Sequence, residues 1–312
     1  MQETAVLQSG HYTIALPWKD DPPCFENNRS LAEHRLRLLN KRLSKDPDIR
    51  VKYTACIEDF LQKGYGKRAP PIRVPGKTWY LPHHALLHPA KPGKVHIIFH
   101  CSAKYHGSSL NDKLLQGPDL TNSLVGVLTS FRQEAVALLA DVEAMFRQFK
   151  VVPADCNTSR FLWWPNGNLT VQPEELMMTV YLFGGVSSPS CVNFALKKTV
   201  EDNCLTFSPE AVHTVKHNFY IDDCLKSVAT DENAIRLSKE LRELLSKGGF
   251  RLTKWLSNSR RVVESIPEAE REAAVKNLDF EHSIIKRALG VRWFMDSDTF
   301  GFSISLKDRP AT

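Results

Sequence analysis

The chain has 312 residues, enough for one large domain or two modest ones with cores of their own. Hydrophobic residues at 42% and charged residues at 24% are the values of a globular protein. No apolar run approaches the ~18 residues of a membrane span, and Met1-Gln2-Glu3-Thr4 lacks the basic-then-apolar layout of a secretory signal. A net charge of +6 and a pI near 8.9 suit a polyanionic partner such as nucleic acid. The seven cysteines are odd in number and scattered, and no pair has C-x-x-C spacing. That pattern argues against a zinc site or disulfide framework and for reduced thiols in the cytoplasm or nucleus.

The first 70 residues read as helical. Ser30-Leu31-Ala32-Glu33 has the form of a capping box, leucines 31, 38 and 39 follow at helical spacing, and Asp46-Pro47 closes the segment. A second helix is predicted to carry Tyr53, Ile57, Phe60 and Leu61 and to end at Gly64. Pro70, Pro71, Pro75 and Gly76 form a break and a candidate boundary. Strands come next. Val95 to Phe99 is one, and Arg160 to Trp164 with Leu169 to Val171 reads as a hairpin about Asn166-Gly167. Between them a helix with Leu124, Leu128 and Phe131 on one face precedes Val136 to Ala140, a buried-strand run ending at Asp141. A helix starts at Ser188-Pro189, another from about Asp231 carries Leu237, Leu241, Leu244 and Leu245, and Gly248-Gly249 stops it. Phe300, Phe302, Ile304 and Leu306 alternate as in a strand. Strands and helices mixed without βαβ alternation indicate an α+β fold.

Chemistry concentrates in Phe219-Tyr220-Ile221-Asp222-Asp223-Cys224-Leu225, where apolar stretches flank two aspartates. A β-hairpin with both carboxylates at its tip is the natural structure. Adjacent carboxylates repel unless a cation lies between them, and Mg²⁺ favours carboxylates, water and phosphate oxygens. Asp141 supplies a third acid if its strand lies beside the hairpin. Two cations held so could activate a 3′-hydroxyl and stabilise a leaving pyrophosphate. An isolated Asp-Asp in a turn is more often plain turn chemistry, so the weight rests on the ordered set of segments.

That set resembles the reverse transcriptases of BEL/Pao-type LTR retrotransposons over nearly the whole chain. Tyr220-Ile221-Asp222-Asp223 is similar to their Y-x-D-D box, and Leu139 to Phe146 to their first catalytic motif. Phe183 to Ser190, Gly248 to Trp255 and Leu289 to Trp293 resemble three further motifs, in order. Pro82-His83-His84, Lys91 to Val95 and Cys101 to Lys104 resemble the fingers. The resemblance implies a right-hand polymerase with fingers and palm, the palm a ferredoxin-like antiparallel sheet with helices on one face, and the thumb largely absent. The implied layout is a helical N-terminal extension over 1–75, fingers over 76–135, and palm over 136–312 with a fingers insertion at about 150–180, ending near the primer-holding motif.

By the same resemblance Asp141, Asp222 and Asp223 are catalytic and hold two Mg²⁺ ions, with Mn²⁺ as a substitute. Phe146 is the steric gate against a ribose 2′-hydroxyl, Gly184 lets backbone approach the nascent pair, and Lys254 assists pyrophosphate departure. Lys94 and His96 fall at the nucleotide-binding fingers, and Leu289, Gly290 and Trp293 hold the primer. His96 and His100 depart from the family pattern of an arginine and an aspartate, and a neutral histidine offers less charge to a triphosphate. The implied partners are an RNA or DNA template with its primer and dNTPs, with no membrane; the RNase H and integrase parts of a full polyprotein are absent. RNA-directed DNA polymerase is the function implied, for an intracellular protein. An inactive retrotransposon-derived nucleic-acid-binding remnant is the alternative, and a metal-dependent nuclease a third.

Overall fold

The computed structural model describes residues 1–20, 22–87, 95–131 and 133–273, with the backbone of 285–288, 291–294 and 299–301. In chain order the elements are β1 (Val6–Gln8), β2 (His11–Ile14), α1 (Arg29–Lys45), α2 (Pro47–Gln62), β3 (Gly66–Arg68), β4 (His83–Leu87) and β5 (Val95–Phe99). Then come α3 (Leu124–Ser130), β6 (Val136–Val142), β7 (Lys150–Val151), β8 (Arg160–Trp163), β9 (Glu174–Met178) and α4 (Ser188–Asn203). The last are α5 (Pro209–His217), β10 (Phe219–Tyr220), β11 (Asp223–Val228), α6 (Asp231–Ser246), β12 (Leu252–Ser257), α7 (Arg260–Ser265), β13 (Ile285–Ala288), β14 (Val291–Phe294) and β15 (Thr299–Gly301). The fold is α+β, with antiparallel pairing in every sheet except for the parallel pair β2–β7.

Residues 1–120 and 144–195 form one compact unit, and 121–143 with 196–312 form a second. In the first unit α1 and α2 are joined through a single residue. Asp46 ends α1 in an extended conformation, and its carboxylate caps α2 by accepting from the Ile49 N–H at 3.0 Å, with Pro47 in the first turn. Leu36, Leu39 and Leu43 of α1 and Tyr53, Ile57 and Phe60 of α2 bury against Trp79 to Leu81, Phe99 and Phe161. Two local expectations fail here. The residues before Arg29 include the β1–β2 ribbon as well as a 3₁₀ turn, so the N-terminus is not wholly helical. Ser30 lies inside α1, whose N-cap is Asn28. The Asn28 side chain is spent on the Tyr80 backbone, accepting from its N–H at 2.8 Å and donating to its carbonyl at 2.7 Å.

The hairpin about Asn166-Gly167 also differs. The partner of β8 is β9, and the segment between them opens with a 3₁₀ turn over Pro165–Gly167. Pro165 cannot donate to a ladder, and Asn166 and Gly167 both take left-handed φ, at 52° and 66°. That geometry lengthens the connection, so the turn does not close two-residue fashion.

In the second unit the sheet order is β10-β11-β6-β12, all antiparallel. Ala137 and Leu139 of β6, Leu225 of β11 and Leu256 of β12 pack with Val127 and Phe131 beside α3 and Val263 of α7. Helix α6 buries Leu237, Leu241, Leu244 and Leu245, the stripe its sequence periodicity marks, and Thr230 caps it. Its stop is steric as well as conformational. A Cβ on Gly248 would meet Thr199 Oγ1 at 2.1 Å, and Gly249 has a left-handed φ of +80°. Strands β13, β14 and β15 form a separate antiparallel sheet. Of the C-terminal alternating run, Phe300 lies in β15, while Phe302, Ile304 and Leu306 lie outside the described residues.

Candidate active site

The run Val136 to Ala140, buried from Ala137 on, is flanked by β11 on one side and β12 on the other, which fixes β6 at the sheet centre. The strand does not stop at Asp141 but continues to Val142. In the β6–β11 register Asp141 stands directly opposite Asp223, with Leu139 opposite Leu225. Residues paired across antiparallel strands project to the same face, so the two aspartates share a face with those leucines, beyond the apolar cluster.

Asp222 is in the turn between β10 and β11. Ile221 adopts a left-handed φ of 55°, uncommon for a β-branched residue, and this breaks the alternation that would set Asp222 against Asp223. The Asp222 carbonyl accepts from the Val142 N–H at 2.8 Å, tying the turn to β6. Burial, and next the charge of Asp141, raise the pKa of the Asp222 carboxyl above the usual range; its backbone contacts and Lys254 act in the opposite sense.

Lys254 comes from β12, at an irregularity in the register between Thr253 and Leu256, and itself has a left-handed φ of 54°. The bulge sends its Nζ to Asp141 Oδ2 at 2.7 Å. Burial opposes its charge, but the bond to Asp141 and the charges of Asp141, Glu272 and Asp222 outweigh that and raise its pKa. Among the described residues no group of three His, Cys, Asp or Glu side chains is drawn to metal-ligand distance; Asp141 is engaged by Lys254 instead. The donor set still suits a hard cation. It is all carboxylate oxygen, it already attracts an ammonium group, and the charge of Asp141 disfavours the Asp222 carboxylate, a cost that a divalent ion would remove.

The remaining sequence-marked residues fall in the first unit or at the C-terminal sheet. Phe146 sits on the 3₁₀ turn Met145–Arg147, entered through Ala144 at a left-handed φ of 48°. Met145 is buried, and the Arg147 guanidinium stacks 4.3 Å from the Phe60 ring centroid, so both neighbours of Phe146 are anchored. The Phe146 ring meets Phe183 edge-on at 5.7 Å. Gly184 has φ +97°, and its carbonyl accepts from Asn111 Nδ2 at 3.0 Å, while Asn111 Oδ1 accepts from the Val186 N–H at 2.9 Å. His96 is exposed on β5, opposite Leu86. Lys94, Leu289 and Gly290 lie outside the described residues, and Trp293 contributes the backbone of β14.

Three residues escaped the sequence reading as individuals. Phe183 is 68% exposed, unusual for a phenyl ring, and braces Phe146. Asn111 clamps the loop of Gly184, and Arg147 anchors the turn of Phe146. An exposed-aromatic signal inside Leu182-Phe183-Gly184-Gly185 could have drawn attention to the first; the other two carry no local signal.

No family model matches the sequence, and none of the curated proteins does. Solved structures do resemble it. The foamy viral protease-reverse transcriptase dRH in complex with double-stranded DNA aligns with a TM-score of 0.52 at 14% identity, over 79% of this chain and 34% of that one. The same viral enzyme in complex with an RNA/DNA hybrid aligns with a TM-score of 0.50 at 13% identity, over 79% of this chain and 26% of that one. The fold is that of a retroviral-type reverse transcriptase polymerase domain, and the chain spans about a third or less of the length of these structures.

Proposed function

We propose that the chain is the fingers-and-palm part of an RNA-directed DNA polymerase of BEL/Pao type, which adds deoxynucleotides to the 3′-end of a primer on an RNA or DNA template. The observation that carries this reading is the direct pairing of Asp141 with Asp223, with Asp222 in the adjoining turn, whose carbonyl is tied to β6 through the Val142 N–H. In the proposed site Asp141, Asp222 and Asp223 would hold two Mg²⁺ ions. When bound, such ions polarise the attacking hydroxyl and neutralise charge on the transferred phosphoryl group. The protein's part would be positioning: the ladder would hold two carboxylates and the turn the third, and Lys254, which bonds Asp141 at 2.7 Å, would exchange that partner for a departing pyrophosphate oxygen. The resemblance of its motif gives Phe146, whose neighbours are anchored and whose ring meets Phe183, the role of a gate favouring deoxyribose.

The second reading, a nucleic-acid-binding remnant without turnover, is favoured by one observation: the Lys254 ammonium occupies Asp141 directly. Primer extension on poly(rA)/oligo(dT) separates the two. The polymerase reading expects Mg²⁺-dependent incorporation of dTTP that Asp222→Asn reduces by roughly 1000-fold. Template binding with no incorporation in either Mg²⁺ or Mn²⁺ would leave the remnant.

A further inference from the structure

A cleft of about 210 Å³ opens in the first unit between α1 and the β4–β5 pair. Its polar lining is Arg35 and Arg42, two turns apart on α1, with His83 and His84 of β4 and His100 just beyond β5. Among the described residues no carboxylate lines it. His83 is spoken for, since its ring is buried between the Tyr53 hydroxyl and the Leu162 carbonyl. His100 Nε2 lies 2.6 Å from His84 Nδ1, so the pair shares one hydrogen and has its outer nitrogens left for a ligand. Arg42 donates to the Ala85 carbonyl at 3.3 Å, which fixes its stem and leaves most of its N–H groups available. Positive charges gathered without a counter-charge repel one another, and an oxyanion removes that cost while matching the planar guanidinium fork.

We infer that this cleft is a binding site for the phosphodiester backbone of a single-stranded nucleic acid, read by Arg35 and Arg42 and strengthened by the His84–His100 pair. Residues seven apart on a helix are separated by roughly 10 Å along its axis, a span that suits two phosphates of an extended strand better than one small anion. Leu38, 46% exposed between the arginines, offers an apolar surface for a sugar or base. The groups facing the histidine pair are Arg35 and Arg42 from α1 and the neutral His83 from β4. Burial, and next His100 and Arg42 for His84 and Arg35 for His100, hold the two pKa values below that of free histidine. The pair is therefore uncharged at pH 7.5 and gains charge on acidification, so binding tightens as the pH falls.

Fluorescence anisotropy of a labelled oligothymidylate titrated with the full chain, at pH 7.5 and 6.0 and constant ionic strength, tests this. The double variant Arg35→Gln/Arg42→Gln should bind about 10-fold more weakly at both pH values. Its slope of log K against log salt should fall by about 1.4, two single-strand phosphate contacts at ~0.7 each. Arg35→Lys/Arg42→Lys should recover most of the affinity, which separates charge from folding. His100→Gln should leave binding at pH 7.5 intact and remove the gain at pH 6.0. The titration uses no dNTP and no divalent ion, so failure of the polymerase reading leaves this site standing. Unchanged affinity and salt slope in the Gln double variant would overturn the inference. So would displacement of the oligonucleotide by equimolar inorganic pyrophosphate, which would assign the cleft to a small anion.

Discussion

At Asp222 stability and the proposed chemistry pull in opposite directions. Burial and the Asp141 charge hold its pKa above that of a free carboxyl, so the folded chain binds that proton more tightly than the unfolded chain. Its contribution to stability is present at low pH and is lost as the pH rises through the folded pKa. Without metal, Asp222→Asn should therefore raise Tm in differential scanning calorimetry at pH 7.5. Saturating Mn²⁺ should reverse the order, because a cation bound only by the folded parent stabilises it by mass action. Phe146 carries a second expectation at this scale. Phe146→Ala should raise the ratio of ribonucleotide to deoxynucleotide incorporation by about 10-fold to 100-fold with little loss of deoxynucleotide use. Phe183→Ala, which removes only the edge contact, should do so less. Competing rNTP and dNTP extension assays read both.

Among the elements, β9 shows why part of the structure was not legible. Nothing local in the sequence marks Glu175, yet it is the centre of an ion cluster. Its carboxylate accepts from Arg160 at 2.8 Å, Arg73 at 2.6 Å and the Tyr80 hydroxyl at 2.7 Å, and it also pairs with Arg29. Burial works against the charge, but these donors prevail and hold the pKa down at about 2. Such a cluster draws on residues from 29 to 175, and no local pattern announces it. The same holds for Asn28, whose pairing to the Tyr80 backbone displaced the Ser30 cap. Helix α6 and strand β6 were legible because their signals are local: a leucine period stopped by Gly248-Gly249, and an unbroken apolar run. Asp141 and the Asp222-Asp223 turn were legible because charge interrupting such runs is visible in one dimension.

The cluster makes stability acid-sensitive at the element scale. Glu175, with a depressed folded pKa, contributes stability above the ordinary glutamate range that disappears as the pH falls from about 4.5 towards 2. His83, buried and held near 4, contributes in the same direction, losing its share from about 6.5 downwards as the unfolded chain takes up a proton. Glu175→Gln leaves the fully buried Arg160 without its counter-charge and should cost about 3–5 kcal/mol in urea unfolding at pH 7. The gap between variant and parent should close on acidification to pH 2–3.

For the whole molecule, the fold agrees with a polymerase more than any single segment does. Its antiparallel sheet presents two acids in register and a third in the adjoining turn, in a chain with a net charge of +6. The direct measurement is a count of Mn²⁺ by electron paramagnetic resonance on the chain with primer–template and a non-hydrolysable deoxynucleotide. Two ions per chain in the parent, and at most one in Asp222→Asn, is the expected result. Equal counts in the two proteins, or no bound ion in the parent, would contradict a site built from residues 141, 222 and 223.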